Sequence, residues 1–360
     1  MTTEPVPVTS GSTPDVHSPF GPGPTRHDLD LPLTDIGEPT AGMVLHRVLA
    51  RNARTFLLND MSPELADRAR RSDPVHVTSL RAAGRPLWAQ SAAAAAERTG
   101  RRATEIERIH QTRVAMRRIR SNLRTFRLAL DPGWGTSLRA ELAWYGARLG
   151  EARNLHVIEE IIADKGPKVL SKDRVVQLAT VLDARMTAVE ADLEAERGGA
   201  RRFQLTEQMM VLWDGPDFNE KAARPANEVL PTMLERSWLD VRGAGRTARK
   251  NPTDVNLHAL RIRLKDLRYG CETVALIEGG PARKVAKAAK RMQTQLGELH
   301  DARYSVEWLR ALGAVQPELN EPIEALAAVQ REVASAARKG WKSELKEVER
   351  RWRSWQGSLS

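Results

Sequence analysis

The chain has few of the residues that disulfides, strands and membrane spans require. It contains one cysteine, Cys271, so no disulfide can form within the chain, which favours a reducing, cytoplasmic setting. Phe and Tyr are scarce and β-branched residues occur only in short runs, which disfavours strands. The sequence shows neither a secretory signal nor a run near the roughly 18 apolar residues of a membrane helix. We therefore expect a soluble, intracellular protein with no membrane partner.

Leu, Ala, Arg and Glu are abundant, and this mixture favours helices. The formal net charge is +10, so an acidic partner is the first expectation. The first 40 residues are rich in proline and carry six carboxylates against Arg26 alone. Because proline fixes φ and lacks a backbone donor, we predict a disordered acidic tail over residues 1–40. The rest of the chain is then more basic than the whole.

From Ala41 onward, apolar residues recur at helical spacing, and Gly and Pro clusters separate the helical segments. Such clusters stand at residues 131–133, 165–167, 197–199, 214–216, 251–252 and 278–281. No convincing alternation of the kind that predicts a strand is present. The sequence therefore predicts an all-α fold built from helix bundles.

Two separate motifs recur at nearly the same distance along the chain. Residues 110–120 line up with residues 258–268, an offset of 148. Residues 149–154, which begin Leu-Gly-Glu, line up with residues 296–301 at an offset of 147. Two motifs at one offset indicate a tandem duplication.

The duplication predicts two helical lobes, residues 41–213 and residues 214–355. The helices that open the lobes, near Met43 and Glu228, are separated by a longer offset than the later motifs. The first lobe therefore holds an insertion at about residues 61–104, which forms either an added helix or a mobile arm.

In each copy of the repeat, the helix that contains the first motif carries a basic stripe on one face. In the first copy, the stripe comprises His110, Arg113, Arg117, Arg120, Arg124 and Arg127. In the second copy, it comprises His258, Arg261, Lys265 and Arg268. The neighbouring faces are predicted to be buried, through Met116, Ile119, Leu123 and Phe126, and through Leu260, Leu264, Leu267 and Cys271. Like charges at this spacing repel, so a bound polyanion would stabilise such helices.

One such stripe alone could also be an ordinary solvated helix face. A single histidine on a helix is more often a hydrogen-bonded core or interface residue than a ligand-binding group. The duplication and the lack of carboxylates at i±4 in the first copy favour binding. Glu272 takes the position of Arg124 in the second copy, so we expect an asymmetric site that is stronger in the first lobe. Further candidate binding residues are Arg153, Arg283, Lys287, Lys290 and Arg291.

Other functions fit the sequence less well. Nucleic-acid binding by the same basic surface is the alternative, but the stripes contain almost no aromatic residues on which bases could stack. The dipeptide His300-Asp301 is typical of some metal-dependent phosphohydrolases. It falls inside the repeated motif, however, so the duplication already explains it, and no other nucleotide or catalytic motif is present. We expect no catalysis, no metal and no cofactor.

The His-x-x-Arg helices, each followed by a Leu-Gly-Glu motif, make the chain resemble the CHAD family of conserved histidine α-helical domains. The resemblance covers about residues 41–355 and implies two bundles related by a pseudo-twofold axis, with a basic central cleft. It further implies binding of inorganic polyphosphate, or of a related polyanion such as phosphate or sulfate, and a place at polyphosphate granules. The chain looks like a stand-alone member. It departs from the family in having Asn154 at a position usually taken by Asp, and in the insertion.

Overall fold

The computed structural model describes the backbone of residues 38–60 and 92–359 and the side chains of residues 38–60 and 105–358. Its α-helices, in chain order, are α1 (Ala41–Asp60), α2 (Ala92–Thr125), α3 (Thr136–Val169), α4 (Lys172–Arg197), α5 (Ala200–Asp214), α6 (Ala226–Lys250), α7 (Asp254–Glu278), α8 (Gly280–Val315), α9 (Asn320–Arg338) and α10 (Trp341–Leu359). Within this described part of the chain there are no strands, only isolated bridges between Thr40 and Pro225 and between Leu130 and Phe218. The predicted all-α class is confirmed.

Glycine, proline and small polar residues place the helix ends where the sequence signals them. Gly135 and Gly279 precede α3 and α8 with φ of +75° and +70°, a region that glycine adopts without the clash of a Cβ. Pro281 lies in the first turn of α8, where the missing N–H costs nothing. Thr253 caps α7, because its hydroxyl accepts a hydrogen bond from the backbone N–H of Asn256 at 3.3 Å.

The helices bury two apolar cores. One lies among α2, α3, α4 and α5, and the other among α6, α7, α8 and α10. Helices α1 and α9 contribute to both cores. In α1, Phe56 lies in the first core and Leu45 in the second. In α9, Ile323 lies in the first core and Ala337 in the second. The cores are therefore joined by shared helices. The residue boundaries expected for two lobes, 41–213 and 214–355, stay a prediction, as does the tandem duplication.

The apolar faces predicted for the two repeated helices are confirmed. On α2 and directly after its last residue, Met116, Ile119, Leu123 and Phe126 are at most 2% exposed. On α7, Leu260, Leu264, Leu267 and Cys271 are fully buried. The burial of these faces fixes the rotation of each helix about its axis, so the stripe beside each face is held in a defined direction.

Helices α2 and α7 also pack directly against each other through a polar seam. The Thr273 hydroxyl lies 2.8 Å from Asn122 Oδ1, and both side chains are buried. The Ser121 hydroxyl donates to Asp266 Oδ1 at 3.0 Å. Paired polar groups in a buried seam accept only one register, so these bonds set how the two helices sit together.

Two predictions lie largely outside the described residues: the disordered tail over residues 1–40 and the insertion at about 61–104. The described end of that insertion, from Ala92 onward, is continuous with α2, which runs through His110 to Thr125. None of the described helices is both long and apolar enough to cross a bilayer.

Candidate functional site

The two repeated helices bring four cationic side chains together, which we call the central basic cluster: Arg113 and Arg117 from α2, and Arg261 and Lys265 from α7. All four are partly buried. The charges of Arg261, Arg117 and Arg113 all act on Lys265, and Arg117 acts on both Arg113 and Arg261. Residues from both predicted stripes therefore converge at one place.

The central basic cluster contains more positive charge than the protein compensates. Burial, followed by repulsion from Arg261, Arg117 and Arg113, lowers the pKa of Lys265 from 10.5 to about 7. Burial, followed by repulsion from Arg117, lowers the pKa of Arg113 to about 10. Asp301 on α8 is the acid that opposes these shifts in both cases. An anion placed among these groups would reverse the repulsion.

The glycine of each Leu-Gly-Glu motif makes room for one arginine of the central basic cluster. The Arg113 guanidinium donates to the Gly146 carbonyl at 2.7 Å and lies across Gly150, where an added Cβ would come within 2.9 Å of Nη1. In the second copy, a Cβ on Gly297 would come within 3.1 Å of Arg261 Nη2. The two motifs of the repeat thus meet in space. In each copy, the arginine of the first motif rests on the glycine of the second, where the helix surface has no side chain of its own.

Several nitrogen atoms in and beside the central basic cluster have no hydrogen-bond partner among the described residues. Arg117 Nε, Arg261 Nε and His258 Nδ1 are buried and form no hydrogen bond with the described part of the chain. An unsatisfied buried polar group costs about 1–3 kcal/mol. Donors left in this way beside uncompensated charge indicate a site for an anionic ligand with several oxygens.

The histidines flank this site. His258 packs on His300, with ring centroids 4.5 Å apart. Burial lowers the pKa of His110, His258 and His300, and nearby arginines add to the shift in each case. These rings are therefore mainly neutral near pH 7, and an anion bound beside them would favour their protonated form.

The C-terminal half of the first stripe has a different environment. Arg124 lies 3.0 Å from Asp266 and 3.6 Å from Asp240, so carboxylates from α7 and α6 neutralise it. Arg127 is exposed and lines a separate depression of about 240 Å³ with Arg124. Burial, followed by Arg139, lowers the pKa of Arg120. The structure therefore brings Arg113 and Arg117 close to the second helix, whereas Arg124 is paired with carboxylates and Arg127 is exposed.

The second stripe ends in an internal ion pair. Arg268 Nε donates to Glu272 Oε1 at 2.7 Å, and Glu272 also accepts from Arg118 at 3.2 Å. The guanidinium of Arg268 lies over the ring of Tyr269, 5.1 Å from its centroid. The partial self-neutralisation expected from Glu272 is thus present, and it includes an arginine of α2.

The remaining predicted residues lie outside the central basic cluster. Arg153 repels both His110 and Arg113, and also reaches Glu160 at 3.5 Å. Arg283, Lys287 and Lys290 are exposed, and their spacing places them on the face of α8 that carries Gly297. Arg291 is turned toward α10, where it lies 3.5 Å from Glu344 and 3.9 Å from Glu347.

Three residues near the site were not predicted as part of it. Asp301 acts on three members of the central basic cluster, although the sequence offered it only as half of a repeated dipeptide. Tyr304 and Trp308 follow on the same face of α8, at i+3 and i+7 from Asp301, and line a depression beside Arg113. That spacing was the signal available in the sequence.

Metal binding has no support from the described residues, among which no group of three His, Cys, Asp or Glu side chains could hold an ion. The arrangement is instead suited to an anion, because its converging groups are guanidinium, ammonium and imidazole nitrogens.

Comparison with known proteins agrees with the resemblance seen in the sequence. The CHAD domain matches residues 85–310. The fold is similar to the crystal structure of the CHAD domain from the plant Ricinus communis, with a TM-score of 0.62 and 16% identity over 87% of this chain and 92% of that one. It is also similar to PptA from Streptomyces chartreusis, with a TM-score of 0.58 and 19% identity over 88% of this chain and 99% of that one. Among curated proteins, none matches the chain. From the family match over most of the chain, together with the all-α fold, we conclude that this protein belongs to the CHAD domain family.

Proposed function

We propose that the protein binds inorganic polyphosphate at the central basic cluster and does not turn it over. The observation that carries the proposal is the convergence of Arg113, Arg117, Arg261 and Lys265 from two helices, with buried nitrogens that no acceptor in the described part of the chain satisfies. Membership of the CHAD family supports it, since the family resemblance implies polyphosphate as the ligand. We further propose a location at polyphosphate granules.

Polyphosphate suits this site for electrostatic reasons. It is a flexible chain of repeating negative charge, and the planar fork of an arginine matches a pair of phosphate oxygens. Its oxygens would take the unused bonds of Arg117 Nε, Arg261 Nε and His258 Nδ1. Because the interaction neutralises several cations, the affinity should fall steeply as salt is raised, as it does for other polyanions.

Absence of turnover is part of the proposal. The groups around the site are arginine, lysine and histidine side chains and the Asp301 carboxylate, and the described residues include no group of three His, Cys, Asp or Glu side chains that could hold a metal ion to activate water. Incubation with polyphosphate or nucleotides and Mg²⁺ or Mn²⁺ should release no phosphate beyond the rate without protein. Phosphate release that scales with protein concentration would show that the site is catalytic.

The decisive experiment is a titration with long-chain polyphosphate at moderate salt. Two charge reversals are compared with wild type: Arg113→Glu with Arg117→Glu, and Arg261→Glu with Lys265→Glu. Each reversal removes two charge-assisted contacts, so each should weaken binding at least about a hundredfold. Loss in only one of them would mean that the helices do not share a site.

A matched control is Arg242→Glu with Arg246→Glu, two exposed arginines at the same i,i+4 spacing on α6. The control changes the net charge equally and should leave the affinity within about threefold of wild type, since neither residue acts on the central basic cluster. Binding of heparin or RNA as tight as that of polyphosphate at matched charge would contradict the proposal.

A further inference from the structure

A second feature lies beside the central basic cluster: a depression of about 540 Å³ between α3, α4 and α8. Tyr304 and Trp308 of α8 form one side, and both are only partly buried. Gly150 and Asn154 of α3 form the other side, where the Arg113 guanidinium lies over Gly150. The depression is thus lined by two aromatic side chains on one side and by polar groups on the other, a combination that suits a planar ring with polar edges.

Arg113 connects the depression to the central basic cluster. It lines the depression, and it is coupled electrostatically to Arg117 and Lys265. The other cation that lines the depression, Arg185, forms an ion pair with Glu151 at 2.7 Å. Positive charge is therefore available at Arg113, which belongs to both the depression and the central basic cluster, and is neutralised at Arg185.

Asn154 supplies the polar group that a base edge requires. Its side chain lines the depression and forms no hydrogen bond with the described residues. An amide both donates and accepts, as do the edges of nucleobases.

Inorganic polyphosphate has no apolar surface and leaves the two aromatic side chains unused. We propose that the depression holds the base of a nucleoside polyphosphate, stacked on Trp308 and Tyr304, while its phosphates lie on the central basic cluster. The volume lies within the range of small-ligand sites. This inference rests on the proposed anion site, because the phosphates occupy that site.

The test compares ATP and GTP with inorganic tripolyphosphate by calorimetry. Tripolyphosphate carries more charge, so electrostatics alone would make it the tighter ligand. Stacking of the base should reverse this order and make one nucleotide about tenfold tighter. Trp308→Leu should abolish the nucleotide's advantage and leave the tripolyphosphate affinity unchanged. Tyr304→Leu provides a second variant, and a thermal melt of each variant without ligand establishes that it is folded.

Each alternative result is distinct. Nucleotides that bind no tighter than tripolyphosphate, with no effect of Trp308→Leu, would overturn this inference and leave the proposed polyphosphate site standing. Failure of nucleotides, tripolyphosphate and long-chain polyphosphate alike would remove the proposed function as well. A single-stranded RNA that binds more tightly than either nucleotide, and depends on Trp308, would overturn the inference in favour of nucleic-acid binding.

Discussion

Gly150 and Gly297 determine how closely two arginines approach the helices behind them. In each case the guanidinium lies where a side chain on the glycine would be, so the missing Cβ orients the arginine. Arg113 is further held by the Gly146 carbonyl, which leaves its remaining N–H groups for a ligand. Holding a long side chain in place before binding reduces the entropy lost when the ligand arrives.

Gly150→Ala is therefore expected to weaken polyphosphate binding about tenfold, because the new methyl group would sit 2.9 Å from Arg113 Nη1 and displace it. Titration gives the affinity and a thermal melt gives the stability. The matched control is Gly243→Ala on α6, where nothing lies within 4 Å of the added Cβ. Alanine favours a helix over glycine by roughly 0.5–1 kcal/mol, so this control should stabilise the protein and leave binding unchanged. Wild-type affinity in Gly150→Ala would contradict the positioning role.

Helix α2 has two functional parts along one stripe. Its first part places Arg113 and Arg117 beside α7, and its last turns place Arg124 between two carboxylates. The seam at Asn122 and Thr273 lies between these parts and holds the helices together. One helix face thus provides binding groups at one end and structural ion pairs at the other.

Arg117→Ala and Arg124→Ala should separate these parts. Arg117→Ala removes a cation with an unsatisfied Nε, so we expect polyphosphate affinity to fall about tenfold or more with little loss of stability. Arg124→Ala leaves the partly buried Asp266 without its cation, so we expect a loss of about 1 kcal/mol in the free energy of unfolding, with affinity within about twofold of wild type. Denaturant melts and titrations measure the two effects. An equal loss of affinity in both variants would show that the whole predicted stripe binds.

In the whole molecule, two cores hold the repeated helices so that their cationic faces meet. The charge concentrated there is tolerated because the cores and the polar seam stabilise the packing elsewhere. Its cost appears as the lowered pKa values of Lys265 and Arg113. A bound polyanion would relieve this repulsion, so polyphosphate should raise the melting temperature, by an amount that depends on its concentration relative to the Kd.

Polyphosphate affinity is also expected to depend on pH. The groups acting on Lys265 are Arg261 on its own helix, Arg117 and Arg113 on α2, and Asp301 on α8. A bound polyanion raises the pKa of Lys265. Below pH 7 the Lys265 amine is already protonated before the polyanion binds, whereas above pH 7 binding requires the uptake of a proton. Affinity should therefore be highest below pH 7 and fall by up to about tenfold per pH unit above it. Titrations from pH 6 to pH 9 measure this dependence, and Lys265→Met should flatten it above pH 7. An affinity independent of pH in wild type would contradict the expectation.

The stripes and their buried neighbours were accessible from sequence because both follow from helical periodicity. Met116 and Leu264 lie on the buried faces that the spacing indicates, and Arg113 and Arg261 lie on the basic stripes beside those faces, where both are partly buried. The neutralisation of Arg124 could not be predicted from the sequence, because its partners Asp240 and Asp266 come from two other helices. The same holds for the contact of His258 with His300, which joins residues of two neighbouring helices.

The sequence by itself determined the all-α class, the repeated His/Arg helices and the CHAD resemblance, because periodicity, turn signals and motif spacing are local properties of the chain. Only the tertiary structure decided which cations meet. Burial of the apolar faces and the seam between α2 and α7 bring Arg113, Arg117, Arg261 and Lys265 together, and pair Arg124 with Asp266 of α7. It also placed Tyr304 and Trp308 beside Arg113. Such neighbours come from distant parts of the chain, and their distances depend on packing.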